Sequence, residues 1–217
     1  MGRTEITQVG KIGSMMVLRR ALIGAGLLAA ALAMPAQAQF SAGYKFLQDV
    51  REKKGTEVTA VLAEPGTTIV NTRDGSTGET ALHIVTNRRD LTWMTFLIDR
   101  GANVNLRDAR GATPLVAATN LGFVEGVQLL ITKGARVDEP NSTGETPLIG
   151  AVHRRSLALM RALLVAGADP DRNDNSGRSA RDYARLEGAN SALMTEINTS
   201  ARAKAARGAA RSYGPSL

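Results

Sequence analysis

The sequence predicts an all-α solenoid: helix–turn–helix units stacked in single file, about five of them, with degenerate units as caps at both ends. Three observations point there. Residues 78–110, 111–143 and 144–176 are consecutive 33-residue blocks that align without gaps. Inside each block apolar residues recur at helical spacing, as Val124, Val127, Leu130 and Ile131 do in the middle one. Between blocks, Asp108-Ala109-Arg110-Gly111, Asn141-Ser142-Thr143-Gly144 and Asp174-Asn175-Ser176-Gly177 place Asp or Asn first and Gly fourth, the signature of a type I turn. One helix pair cannot bury its apolar face alone, so units of this period must stack.

Each block opens with Gly, has Thr at its third place, and carries Gly-Ala after its second apolar run. The segments Thr80-Ala81-Leu82-His83, Thr113-Pro114-Leu115 and Thr146-Pro147-Leu148 are followed by Gly101-Ala102, Gly134-Ala135 and Gly167-Ala168. This pattern resembles the ankyrin repeat, with its Thr-Pro-Leu-His-x-Ala helix start, and the resemblance runs from about Tyr44 to Ile197. It implies a protein-binding stack whose turn fingers and inner helices form a concave face.

The residue chemistry argues for the same elements. Thr80, Thr113, Thr146 and Ser179 suit N-caps, because a side-chain oxygen can accept from an otherwise orphaned backbone N–H. Pro114 and Pro147 then fall at the first helical position, where no N–H is missed. The first helix of the middle block ends near Gly122, and the second is expected over Val124–Thr132. Gly134 suits the left-handed residue beyond it.

Taken from its start, the chain begins with 1–38, which reads as a signal peptide behind an extra leader. Arg19-Arg20 precede the apolar run Ala21–Ala33, and Ala36-Gln37-Ala38 forms an Ala-x-Ala site, giving Gln39 as the mature N-terminus. Translation starting at Met15 or Met16 would account for the leader. The run is shorter than the roughly 20 residues of a spanning helix; a retained membrane anchor is the alternative, and a twin-arginine signal a further one. Bacterial periplasm is the expected location. Residues 39–198 form the repeat domain, with units at about 44–77, 78–110, 111–143, 144–176 and 177–198. In the first, Tyr44–Lys54 and Glu57–Glu64 are the expected helices, polar enough for an end unit. In the last, Ser179-Ala180-Arg181-Asp182-Tyr183-Ala184 replaces the usual helix start. Residues 199–217 hold Arg202, Lys204, Arg207 and Arg211 among small residues and read as a basic, disordered tail.

The chain carries 27 basic and 20 acidic residues, but eight of the former and one of the latter lie outside 39–198, leaving 19 of each in the repeats. A neutral body argues against nucleic acid as a partner. A membrane surface is a partner only through the leader or the tail. There is no cysteine, so neither disulfides nor thiol catalysis is available. A monomer is expected.

Little in the chain suggests catalysis. His83 occupies the motif's histidine place, which the resemblance assigns to hydrogen bonding between turns. His153, beside Arg154-Arg155, reads as a solvated or contact residue. Two histidines and no cysteine give no zinc-ligand spacing, so no metal is expected. Asp169–Asn175 has oxygen side chains at places one, three and five of a calcium loop, but Asp174 and Ala180 stand where such a loop needs Gly and Glu. No catalytic set and no cofactor cradle is apparent. What is left is a surface for another protein, with an envelope component held at the membrane as the second reading and an enzyme as the third. Carried over from the family's concave face, its residues are Arg88, Arg107, Arg110, Asn120, Glu139, Glu145, His153, Arg154, Arg172 and Arg178, with Asn87, Ala112, Leu121, Ser142 and Asn175 beside them. Repeated Arg suits a protein interface. Arg88-Arg89 and Arg154-Arg155 occupy equivalent places where the pattern prefers Gly second. Trp93 falls among Met94 and Leu97 and reads as core packing, with a binding anchor as the alternative.

Overall fold

The computed structural model describes the backbone of residues 42–212 and the side chains of residues 42–203. The expected leader, its apolar run and the Ala38–Gln39 boundary lie outside the described residues. The described chain forms ten α-helices in five pairs: α1 (Ala42–Arg51) with α2 (Gly55–Leu62), α3 (Ala81–Asn87) with α4 (Leu91–Asp99), α5 (Pro114–Leu121) with α6 (Val124–Thr132), α7 (Pro147–His153) with α8 (Leu157–Val165), and α9 (Ala180–Leu186) with α10 (Ala192–Ser212). A single 3-10 turn, Ile69–Asn71, follows the first pair. No strand occurs among the described residues. Isolated bridges Arg73–Thr80 and Asn173–Ser179 close the bases of two fingers.

The first helices pack in sequence, α1 on α3, α3 on α5, α5 on α7 and α7 on α9, while α4, α6, α8 and α10 do the same behind them. One continuous apolar core results. Leu82, Leu115 and Leu148 come from the first helices, and Leu97, Leu130, Leu163 and Ile197 from the second, all almost fully buried. Trp93 is partly buried against this core, edge-on to Phe96 at 5.9 Å.

The caps sit inside the stack. Thr80, Thr113, Thr146 and Ser179 accept from the backbone N–H three residues on. Each is buried. Water cannot replace these hydroxyls, which makes each cap an integral part of its helix.

Three ladders join unit to unit. Asn71 accepts from the Asn103 N–H at 2.7 Å and donates to the Gly101 carbonyl. Asn105 repeats both bonds with Arg136 and Gly134. Asp138, next in the column, accepts from Asp169 at 2.9 Å but has no donor for the following carbonyl. The finger tips form the second ladder, with the N–H groups of Ala109, Ser142 and Asn175 donating to the carbonyls of Thr77, Arg110 and Thr143.

The third ladder is built from the Arg pairs. Arg89 and Arg155 adopt φ of 56° and 52°, and Lys53 adopts 58° at the same place, where unit three has Gly122 at 71°. Lys53 ends the first helix of unit one early, so α1 and α2 lie two to three residues before their expected bounds. In each Arg pair the first residue points to the unit before and the second to the unit after. Arg88 donates to the carbonyls of Val50 and Arg51, and Arg89 to that of Leu121. Arg154 donates to the Asn120 carbonyl at 2.6 Å, and Arg155 pairs with Glu187. Arg88, Arg89 and Arg154 thus meet carbonyls at helix C-termini, where the helix dipole favours cations, while Arg155 meets a carboxylate.

The C-terminus departs from expectation. Residues 199–212 continue α10 rather than fraying. The physical reason is composition: the stretch is rich in Ala, the strongest helix former, so it extends a helix already nucleated by the packing of Leu193, Met194 and Ile197.

Candidate functional site

The ten residues expected at the interaction face separate into two sets. Arg88, Arg107, Glu139 and Arg154 hold the stack. Arg88 lies against the first unit, its guanidinium 5.8 Å from the Trp93 ring centroid and 3.6 Å from the Asp90 carboxylate. Arg107 bridges to the next finger, donating to Glu139 and to the Pro140 carbonyl at 2.7 Å each. Arg154 lies over Gly122, where a Cβ would come within 2.9 Å of its guanidinium.

The second set faces outward. Asn120, His153, Arg110, Arg172 and Arg178 are exposed, and Glu145 is half-buried. Four of these belong to one strip across units three to five. At Gly150 the missing side chain leaves room for Asn120 Oδ1 and Glu145 Oε1, which lie 2.8 and 3.3 Å from where a Cβ would stand. Glu145 lies 3.3 Å from His153 Nδ1. The His153 ring meets Tyr183 edge-on with centroids 4.5 Å apart. The Arg178 guanidinium lies 6.0 Å from the centroid of that same ring.

Tyr183 is the residue that sequence reasoning missed. It falls in the column of Ile84, Ala117 and Gly150, where no other unit has an aromatic residue. Reading that column across units would have found it. Its hydroxyl donates to Asp174 at 2.7 Å and is thereby fixed in place. Burial raises the Asp174 carboxyl, but hydrogen bonds from Ser176, Tyr183 and the Arg178 and Ser176 N–H groups outweigh it and hold the group at about 2. Asp174 is therefore an anion that anchors the finger and the tyrosine together.

The acids of the expected calcium-like stretch have separate tasks. Asp169 accepts from the Asp171 N–H, Asp171 takes Arg181 in a two-point contact at 2.6 and 3.1 Å, and Asp174 closes its turn. They do not converge. Among the described residues no group of three His or acidic side chains is placed to hold a metal. His83 lies in the core. Its Nδ1 faces the Thr80 N–H, which can only donate, and its Nε2 faces the Ala112 carbonyl, which can only accept. The imidazole is thus neutral with its proton on Nε2, and burial lowers its pKa.

No curated protein matches the sequence. A family model described as ankyrin repeats, three copies, matches residues 50–141 and again 82–174. Those spans cover the four left-handed breaks from Lys53 to Arg155, the Thr caps and the first two rungs of the finger ladder, and with more than half of its length matched the chain belongs to the ankyrin-repeat family.

Proposed function

We propose that this chain is a non-enzymatic module that binds another protein through the finger face of units three to five, acting in the cell envelope after export. Ankyrin repeats are in general protein–protein interaction modules. The observation that carries the reading is the strip from Asn120 through Glu145, His153 and Tyr183 to Arg178, which combines a fixed aromatic ring with exposed Arg and His. Tyr and Arg are the residue types that dominate interface energetics. Unlike Arg88 or Arg154, these side chains donate to no backbone carbonyl of a neighbouring unit, and the strip crosses a join where His153 meets Tyr183 and Tyr183 donates to Asp174.

The substitutions His153→Ala and Arg178→Ala together should abolish partner capture and leave the helical circular dichroism unchanged. Capture at the wild-type level in a folded double variant would refute the placement. Export rests on Ala21–Ala33 and the Ala36-Gln37-Ala38 site. N-terminal sequencing of the cell-derived protein should begin at Gln39; a start at Met15 or Met16 would favour a membrane-held component instead.

A further inference from the structure

We infer that the first unit is a flap, which undocks from the second at their join while units two to five stay folded. At every other join both rows of helices pack, from α3 on α5 and α4 on α6 to α7 on α9 and α8 on α10. At the first join α1 packs on α3, but α2 does not pair with α4 in the same way. Trp93, the only tryptophan of the chain, stands at this place. It is partly buried, and a Cβ at Gly55, the first residue of α2, would lie 3.9 Å from its Cζ2.

Much of what holds the first unit is polar. α1 buries Phe46, Leu47 and Val50. Further links run from Asn71 to Gly101 and Asn103, from Ala109 to Thr77, from Arg73 to the Arg107 carbonyl, and from Arg88 to the carbonyls of Val50 and Arg51. Arg88 is the weak point of that set. Its Nη1 makes both carbonyl bonds, but Nε and Nη2 are buried and have no hydrogen-bond acceptor among the described residues. The Asp90 carboxylate stays 3.6 Å from Nη2. Buried donors left unpaired oppose docking, since water would satisfy them once the join opens. Arg154, which fills the same place at the join of units three and four, is exposed and bears no such cost.

Packing in one row of helices, offset by an incompletely bonded guanidinium, makes this the join that opens first. A stack is stabilised by unit and interface terms that add along it, so one join can open without unfolding the rest. The finger strip lies in units three to five and is not part of the flap.

Trp93 emission reports docking at the join, whereas far-ultraviolet circular dichroism reports the whole stack. In a denaturant titration of the full-length protein, Trp93 emission should shift to the red before most of the helical signal is lost. Asn71 and Asn105 make the same two bonds at successive joins. Asn71→Ala should lower the fluorescence midpoint and leave the main dichroism midpoint in place, whereas Asn105→Ala should lower the main midpoint. Without denaturant, the amides of α1 and α2 should exchange with deuterium as one group, at least about tenfold faster than those of α5 to α8. Coincident fluorescence and dichroism midpoints in the parent, an Asn71→Ala shift shared equally by both signals, or equal exchange in α1 and α5 would overturn the flap.

Discussion

Single residues set how well neighbouring units join. Asp138 occupies a column where Asn71 and Asn105 each accept and donate, and it can only accept. Asp138→Asn supplies the missing N–H to the following loop and should raise unfolding stability by about 1 kcal/mol, the usual net worth of a hydrogen bond. Denaturant midpoints measure it, and an unchanged or lower midpoint would show that the amide does not reach the carbonyl. Gly122 is under two constraints, a left-handed backbone and the guanidinium of Arg154 above it. Gly122→Ala should cost about 1–2 kcal/mol from the backbone alone. The loss should shrink, but persist, in an Arg154→Ala background where the overlying group is gone. Equal losses in both backgrounds would mean Arg154 simply moves aside.

Helix pairs are held by buried polar contacts that respond to pH. His83 caps the start of α3 through Thr80 and reaches the Ala112 carbonyl of the next unit; the bond accepted at Nδ1 from the Thr80 N–H needs the neutral ring, whereas the bond to the Ala112 carbonyl survives protonation. Its pKa is lowered in the fold, so near and below the ordinary histidine value of about 6.5 the unfolded chain binds more protons. That contribution to stability is complete above that value and is lost as pH falls toward the folded pKa. A His83→Gln variant should show a flatter stability profile below about pH 6.5 than the parent. Equal slopes would place the acid sensitivity elsewhere. The elements themselves were legible in the sequence, because Thr caps, Pro starts and Gly breaks act locally; α6 has the bounds expected for it. Two features were not. The left-handed Arg pairs look like surface charge until the neighbouring carbonyls are in view, and α10 is longer than an apolar count implies because Ala needs no burial to stay helical.

At the scale of the whole molecule, the side chains that hydrogen-bond one unit to the next are largely distinct from those of the proposed strip. The core and the Arg clamps run through every join and the Asn column through the first two, whereas the strip from Asn120 to Arg178 lies on one face of the last three units. Of the ten residues expected at the interface, the side chains of four hydrogen-bond a neighbouring unit and those of six do not. Register alone predicts which columns face the fingers, but only contacts between units separate a clamp such as Arg107 from a free group such as Arg110. The most direct measurement is crosslinking in cells from a photoreactive residue placed at His153, compared with one at Gln128, an exposed position on α6. A discrete crosslinked partner from 153 and none from 128 is the expected result. The same partner from 128, or none from 153, would contradict a binding face built on the fingers.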